Sequence, residues 1–221
     1  MATSKQIPNL RQDGQKTRIL SILGSPRLTG LTARLLEAAE QAARERGCTV
    51  ERINVANLSF RPCTGCMKCR KAGRCVLPDD DASRIAGLLR ESDGVMIGTP
   101  SYWGGIPGEM KMLFDRMVYA MVDTSSEREM IPRPLHKGKP YSLVVTSTAP
   151  WPGNVLTMFT DTTGDLRRIF RPSGFRKSGT VRVGGTRKIS TLSPREQAKM
   201  TKLGIKLGTD ASKFASKRNN N

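Results

Sequence analysis

Residues 24–32 read Gly-Ser-Pro-Arg-Leu-Thr-Gly-Leu-Thr and join a short apolar run, residues 17–23, to a helical pattern that opens at Gly30. The run TRILSIL is typical of a strand, and small apolar residues recur at helical spacing from Leu31 onward. In an α/β protein such a turn lies at the carboxyl edge of the sheet, where helix N-terminal N–H groups stabilise an anion. It matches neither the GxGxxG dinucleotide fingerprint nor the GxxxxGK[ST] nucleotide loop. The stretch predicts a phosphate-binding loop, with a plain strand-to-helix turn as the alternative.

Strand and helix patterns alternate along the rest of the chain. Further strands are predicted at residues 48–55, 94–98, 141–147 and 180–184, and further helices begin near residues 79, 107, 154 and 193. This alternation implies right-handed crossovers between parallel strands. The sequence therefore predicts an α/β fold, a three-layer sandwich around a five-stranded parallel sheet.

Three smaller features carry structural expectations. The helix after Pro107 has a stripe that includes several methionines, and this stripe is expected to face the core. Residues 123–139 are polar, contain two prolines and predict a long surface loop, in which His136 is expected to be exposed and idle. Cys48 lies apart from the other cysteines and is expected to be a small buried hydrophobic residue.

A second loop, residues 99–108, follows the third predicted strand and reads Thr-Pro-Ser-Tyr-Trp-Gly-Gly-Ile-Pro-Gly. The adjacent aromatics Tyr102 and Trp103 are poor core material among glycines and prolines, but a flat ring could rest against them. In the flavodoxin-like strand order 2-1-3-4-5, strands one and three are neighbours, so this loop and residues 24–32 would face each other. A phosphate on one loop and a ring on the other fit a single mononucleotide.

These two loops closely resemble the flavin loops of the NAD(P)H-dependent FMN reductases and multimeric quinone reductases of the flavodoxin-like superfamily. The resemblance covers roughly residues 17–120 well and the remainder more loosely. It implies that the FMN phosphate is bound by Ser25, Arg27, Gly30 and Thr32, and that the isoalloxazine ring is bordered by Pro100, Ser101, Tyr102, Trp103 and Gly104. A third flavin segment would follow the fourth strand, at residues 147–153. Leu31 departs from the family pattern, which often has asparagine there.

Four of the five cysteines crowd into thirteen positions, as Cys63, Cys66, Cys69 and Cys75. The spacing C-x2-C-x2-C-x5-C favours a [4Fe–4S] cluster over zinc, because zinc sites more commonly pair two C-x2-C units across a longer span. The crowding speaks against a disulfide framework. The run resembles the compact cysteine motif of the iron-sulfur flavoproteins of the same superfamily, which implies these four thiols as ligands. Flavin reductases without a cluster carry similar cysteines, so a cluster-free protein is the alternative.

The 221-residue chain has a formal net charge of +18, and most of the excess lies towards its C-terminus. Residues 1–163 hold 22 Lys and Arg against 16 Asp and Glu, whereas residues 164–221 hold 15 against 3. Such a basic face attracts phosphates, yet no RNA-binding motif with interleaved aromatics accompanies it. We expect a solvated basic surface, and nucleic acid is not an expected partner.

The expected organisation is a flexible N-terminal arm at residues 1–16, one flavodoxin-like FMN-binding domain at residues 17–215 and a frayed tail at residues 216–221. The cysteine loop of the domain spans residues 61–78. No apolar run reaches the roughly 18 residues that a membrane helix needs, and the N-terminal residues lack the pattern of a secretory signal. We therefore expect a cytoplasmic protein without a membrane span.

The resemblance implies an FMN-dependent oxidoreductase. Electrons would pass from NAD(P)H, or from a small ferredoxin-like carrier, to a quinone, flavin or oxygen-species acceptor, and the chain would form a homodimer or homotetramer. The cofactor would carry the chemistry, so no catalytic side chain is assigned. A zinc-containing nucleic-acid-binding module is a more distant alternative, because it leaves both flavin loops unused.

Overall fold

The computed structural model describes residues 16–123, 125, 133–149, 161–189 and 191–219. The strands described are β1 (Arg18–Leu23), β2 (Thr49–Asn54), β3 (Gly94–Pro100), β4 (Val122–Asp123), β5 (Arg133–Pro134), β6 (Pro140–Thr146) and β7 (Arg176–Val183). Five of them form a parallel sheet in the order β2-β1-β3-β6-β7, and β4 and β5 form a separate antiparallel pair. Counted within the main sheet, this is the order 2-1-3-4-5, so the predicted fold class is confirmed.

The helices described are α1 (Leu31–Glu45), α2 (Cys69–Ala72), α3 (Asp81–Glu91), α4 (Gly108–Arg116), α5 (Val118–Met121), α6 (Thr162–Phe170) and α7 (Pro194–Asn219). Asp80 caps α3, because its carboxylate accepts hydrogen bonds from the backbone N–H groups of Ala82 and Ser83. The predicted start of this helix at the acidic run is confirmed. Among the described residues, no helix is both long enough and apolar enough to cross a membrane.

The two faces of the sheet bury two separate apolar clusters. Along β1, Leu20 and Ile22 belong to the cluster under α3, α4 and α6, whereas Ile19 and Leu23 belong to the cluster under α1 and α7. Successive strand residues point to opposite faces, so one strand serves both cores. The methionine stripe of α4 and α5 lies in the first cluster, as predicted: Met110, Met117 and Met121 are all buried.

Helix α7 packs closely on α1 because a glycine lies at the crossing. A Cβ atom added to Gly204 would lie 2.0 Å from the carbonyl oxygen of Ala39, so any side chain there would push the two helices apart. Cys48 is buried nearby, and burial is the main cause that raises the pKa of its thiol. The expectation of a small buried cysteine at this position is confirmed.

The chain between α5 and β6 differs from the predicted exposed loop. His136 is 4% exposed: its Nε2 donates to the carbonyl of Ala120 at 2.7 Å, and its ring lies 4.5 Å from that of Phe175. Lys139 is also buried, and its Nζ donates to the Leu89 carbonyl at the end of α3 at 2.7 Å. The prediction of an exposed His136 is wrong, because both polar side chains find backbone carbonyls that satisfy them inside the fold.

The buried His136 predicts acid-dependent stability. Burial is the main cause that lowers the pKa of His136 to about 3, and the charge of Lys139 acts in the same direction. The unfolded chain binds a proton below its pKa of about 6.5 and the folded chain does not, so the stabilisation is complete above about pH 6.5 and falls as the pH drops towards 3. At pH 5 this histidine should lower the free energy of unfolding by about 2 kcal/mol, measured by urea titration at pH 7 and pH 5.

His136→Gln is the matched control, because glutamine retains an N–H donor without a titrating group. The variant should lose about 2 kcal/mol less than the wild type between pH 7 and pH 5. Equal losses in both proteins would show that His136 is not the group responsible.

The remaining differences from the predicted elements concern their ends. Strand β7 begins at Arg176, four residues before the predicted start, and α7 continues through residues 216–219, where the sequence predicts a frayed tail. Of the predicted helix at residues 154–170, the structure describes residues 161–170, and α6 begins at Thr162. The predicted arm lies outside the described residues except for Lys16.

Candidate functional site

Three loops leave the sheet side by side at its carboxyl edge. Strand β1 lies next to β3, and the backbone N–H of Gly24 donates to the carbonyl of Gly98 at 2.8 Å. Strand β3 lies next to β6, and the N–H of Ser101 donates to the carbonyl of Thr146 at 2.7 Å. The loops that follow β1, β3 and β6 are therefore neighbours, as the predicted strand order requires.

The loop after β1 presents two buried hydroxyl groups beside the start of α1. Ser25 is 5% exposed, and its Oγ accepts from the backbone N–H of Arg27 at 3.2 Å. Thr32 is equally buried, and its Oγ1 lies 2.7 Å from that of Thr146 at the end of β6. The backbone of Gly30 caps α1 without a side-chain hydrogen bond, which leaves the first turn to an outside acceptor. Arg27 is exposed.

The loop after β3 ends in a tight turn that displays an aromatic ring. Tyr102 and Gly105 exchange two backbone hydrogen bonds of 2.9 Å each, and Trp103 stands at the tip with its side chain fully exposed. Trp103 has a φ of 50° and Gly104 a φ of 80°. A left-handed conformation costs an L residue roughly 1–2 kcal/mol. Bulky residues adopt this conformation rarely, and such strain clusters at binding sites.

The N-terminal turn of α6 holds this second loop in place. Thr162 Oγ1 lies 2.9 Å from Ser101 Oγ and 3.0 Å from the carbonyl oxygen of Gly104. Asp165 accepts from the backbone N–H of Ile106 at 3.2 Å. Sequence analysis did not identify Thr162 and Asp165 as site residues, although two polar residues three apart at a helix start are a local signal for such contacts.

The predicted third flavin segment is described only at its start. Ser147 is buried, and its Oγ accepts from the backbone N–H of Ala149 at 3.1 Å. Two hydrogen bonds, Gly185 N–H to Ala149 carbonyl at 2.8 Å and Thr186 N–H to Ser147 carbonyl at 3.1 Å, tie it to the loop after β7. The remainder of the segment, residues 150–153, lies outside the described residues.

The nine predicted flavin residues therefore lie on two adjacent loops. The buried pair Ser25 and Thr32 lies at one end, and the exposed pair Tyr102 and Trp103 lies on the neighbouring loop. Buried hydroxyls and a helix start suit an anionic phosphate, and a displayed aromatic turn suits a flat ring. These residues fit FMN in chemical type and in their order along the sheet edge.

Trp103→Ala should leave the fold intact and change the fluorescence and the reduction rate of the bound flavin. Because the indole is fully exposed, its removal should change the free energy of unfolding by no more than about 0.5 kcal/mol. We expect altered flavin fluorescence and slower reduction by NAD(P)H, measured against the wild type at equal flavin content. A variant that failed to fold would contradict the exposed placement.

The cysteine loop follows β2, so it leaves the sheet at the same edge as the flavin loops. Cys63 and Cys66 are exposed, Cys69 begins the short α2, and Cys75 follows it half-buried. All four line one cavity of about 30 Å³ together with Arg116, Tyr119 and neighbouring side chains. Residues 61–80 contribute no side chain to either core cluster.

The four thiols influence one another electrostatically. Burial raises the pKa of the Cys69 thiol most, and the charges of Cys75, Cys63 and Cys66 raise it further. The pKa of Cys66 is lowered by hydrogen bonds from the Lys68 backbone and the Thr64 hydroxyl.

Glycines at positive φ, Gly65 and Gly73, let this part of the chain fold back around the thiols, and the N–H of Gly65 donates to Cys63 Sγ at 3.5 Å. Within the described part of the chain, no three His, Cys, Asp or Glu side chains stand close enough together to hold a single metal ion. The donor type and the placement of all four thiols around one cavity fit an iron–sulfur cluster, although the thiols are not at coordination distance.

A five-stranded parallel sheet of this order, with its loops gathered at the carboxyl edge, defines the flavodoxin-like class. An NAD(P)H:quinone oxidoreductase from Methanothermobacter marburgensis superposes with a TM-score of 0.66 at 15% identity, covering 87% of this chain and 100% of that one. An FMN-dependent NADH-azoreductase from Bacillus anthracis superposes with a TM-score of 0.64 at 17% identity, covering 90% and 100%. The chain itself belongs to the NADPH-dependent FMN reductase family, whose model matches residues 17–162.

The curated relatives of the chain include proteins named as iron-sulfur flavoproteins. An iron-sulfur flavoprotein from Methanocaldococcus jannaschii is 38% identical over 99 residues, which is 45% of this chain and 51% of that protein. One from Methanosarcina thermophila is 37% identical over 101 residues, 46% of this chain and 52% of that protein. The chain spans about half the length of the curated relatives that it matches.

Proposed function

We propose that this protein is an FMN-dependent oxidoreductase of the iron-sulfur flavoprotein type. It passes electrons from NAD(P)H, or from a small electron carrier, to a quinone, flavin or oxygen-species acceptor. The observation that carries the proposal is the position of four cysteines on one loop, at the same edge of the sheet as the two flavin loops. A flavin, which can take up two electrons, and a cluster, which takes up one, would then both be bound by loops that leave the sheet at the same edge.

The residues of the chain bind and orient the flavin. Ser25, Thr32 and the start of α1 hold the phosphate, and Arg27 adds a positive charge. Tyr102 and Trp103 border the ring, with the Thr162 hydroxyl fixing the turn that carries them. Bound FMN supplies hydride acceptance and electron release. Because the ring carries this chemistry, the task of the protein is to position it and to exclude water.

The cysteine loop would hold a [4Fe–4S] cluster through Cys63, Cys66, Cys69 and Cys75. Such a cluster exchanges single electrons. Its ligands must be thiolates, so binding of the cluster would release the protons of the four thiols. Gly65, Met67 and Gly73 have positive φ, so the loop turns sharply at three points. These turns would let it bring the four sulfurs together around the cluster.

The names of the curated relatives support this assignment, and all of those quoted are iron-sulfur flavoproteins. The five cysteines of the chain are free thiols, which fits the cytoplasm, where thiols stay reduced. We further propose a homodimer or homotetramer, with a nicotinamide as the donor and a ferredoxin-like protein as an alternative donor.

Anaerobic purification followed by flavin, iron and sulfide analysis tests the proposal. We expect about one FMN and about four iron atoms per chain, with the visible bands of flavin overlaid by a broad brown shoulder. A colourless protein would refute the flavin assignment. Anaerobic handling matters because oxygen can destroy an exposed cluster.

A cluster-free NAD(P)H-dependent FMN or quinone reductase is the second candidate. The separation of the thiols in the described structure favours it, because no ligand set stands ready for a single metal ion there. Yellow anaerobic protein with stoichiometric FMN, but without iron or sulfide, would establish this candidate in place of the first.

A further inference from the structure

Arg116 is a buried arginine at the end of α4 whose side chain is 1% exposed. Its Nη1 and Nη2 form two parallel bonds to Asp80, at 2.9 and 3.2 Å, and Nη1 also donates to the carbonyl of Arg61. A forked guanidinium–carboxylate pair of this kind is stronger and more directional than a single contact. The flavin loops make no use of this residue.

The partners of Arg116 are the two ends of the cysteine loop. Arg61 precedes Cys63 by two positions, and Asp80 follows Cys75 by five. Asp80 also accepts from the Arg61 backbone N–H at 3.3 Å while it caps α3. One guanidinium therefore joins the entry and the exit of the loop to the rigid helices α3 and α4.

The same side chain faces the thiols. Arg116 lines the cavity that the four cysteines share. Burial acts to lower the pKa of its guanidinium, but Asp80 and the adjacent Cys75, through charge and hydrogen bonding, raise it overall. Its Nε is buried and makes no hydrogen bond within the described structure. A buried donor without a partner is costly, so a sulfur acceptor at this position would satisfy it.

The other cations near the cysteines are of a different kind. Lys68, Arg70, Lys71 and Arg74 are exposed on the loop, where water and salt screen their charges. Arg116 is buried, so its charge acts through a medium of lower effective dielectric constant. The ion pair with Asp80 reduces the effective charge of the guanidinium. Only the two Nη atoms bond to the Asp80 carboxylate, and Nε–H takes no part in that pair.

We propose that Arg116 is the positioning residue of the cysteine loop, which it clamps at both ends while its guanidinium lines the cavity that the four thiols share. This inference rests on the proposed cluster. A buried cation beside the thiolates would stabilise the more negative, reduced form of a bound cluster. Arg116 would therefore raise the affinity of the cluster for the electron, and it fixes both ends of the loop that carries the four thiols.

The test uses Arg116→Met combined with Asp80→Asn, so that no unpaired carboxylate is left while asparagine still caps α3. Lys111→Met combined with Asp115→Asn is the matched control, because it removes an exposed ion pair from the same helix. In anaerobic redox titrations of the loaded proteins, the double variant should show a lower reduction potential than the wild type, because it removes the cation that lines the cavity of the thiols, whereas Asp80 does not line that cavity. The control should match the wild type.

Arg116→Lys separates the structural role of Arg116 at the ends of the loop from the effect of its positive charge. Lysine keeps the cation but lacks the fork, so this variant should retain less iron while its remaining cluster keeps a potential near that of the wild type. Hydrogen exchange over residues 61–83 of the iron-free protein should be faster in both Arg116 variants, a readout that needs no cluster.

The outcomes test the role of Arg116 and the presence of the cluster separately. An unchanged potential and unchanged exchange in the double variant would overturn the role of Arg116. Faster exchange together with lost iron would support the clamp even if too little cluster remained for titration. Wild-type protein that took up no iron from anaerobic iron and sulfide would refute the proposed cluster, and the exchange data would still test the clamp.

Discussion

Replacing Ser25 and Thr32 together with alanine should release FMN from the protein on dialysis. Both hydroxyls are buried beside the uncapped start of α1, where the phosphate would lie. A hydrogen bond to a charged group contributes about 1.5–3 kcal/mol. Losing two of them should weaken FMN binding by roughly 10²- to 10⁴-fold, measured by fluorescence titration of the flavin-free protein.

Two controls guard against a merely structural effect. Thr32 also contacts Thr146, so the melting temperature of the flavin-free double variant must be compared with that of the flavin-free wild type. Thr32→Ser keeps a hydroxyl and should bind FMN almost as well as the wild type. Stoichiometric FMN with unchanged affinity in the double variant would rule out this phosphate site.

Cys69→Ala and Cys75→Ala should each lower the iron content from about four atoms per chain towards zero, because a [4Fe–4S] cluster needs all four thiolates. The brown shoulder should disappear with the iron. FMN should stay bound, since the flavin residues lie on other loops and residues 61–80 add nothing to either core cluster. Iron assay and visible absorbance on anaerobic samples give the result.

Cys48→Ala is the natural control for these variants. Cys48 is buried under α7, away from the cavity that the other four cysteines line, so its replacement should leave the iron content unchanged. A zinc site would instead release zinc without any change in visible absorbance. If Cys69→Ala kept its iron, the ligand assignment would be wrong.

The strands of the sheet were predictable because most are short apolar or alternating runs separated by helical patterns, whereas their order was taken from the flavodoxin-like superfamily that the two loops resemble. Residues 94–98 illustrate this: they are buried on both faces, and their sequence is almost wholly apolar. The start of β7 was not predictable in the same way. Its first residues, Arg176 and Lys177, are exposed and basic, as befits an edge strand, and they carry no apolar signal.

His136 and Lys139 show where local reasoning fails. Their neighbours in sequence are polar and predict a surface, yet tertiary contacts bury both side chains. The decisive partners are the carbonyls of Ala120 and Leu89, which lie 16 and 50 residues away in the chain. Backbone acceptors are present at every residue, so nothing in the sequence marks those that will receive a distant donor.

The predicted flavin residues follow from the resemblance of two loops to a known family, whereas that resemblance did not indicate the residues that support those loops. Arg116 could have been suspected, since it stands beside the apolar stripe of Leu113, Phe114 and Met117 rather than on a wholly polar face. A cation on the buried side of a helix requires a partner. That the partner is Asp80, and that the pair closes the cysteine loop, depends on how α3 and α4 pack.

The closure of the cysteine loop at its base has a consequence for the lifetime of the protein under air. Oxidative destruction of the proposed cluster would remove the metal from a loop whose two ends stay fastened to α3 and α4. The damaged molecule would remain a folded flavoprotein with two of its four cysteines exposed and two half-buried, within reach of an iron donor. Repair would then consist of inserting a new cluster into a protein that is still folded, and the cell would have no need to degrade and resynthesise the chain.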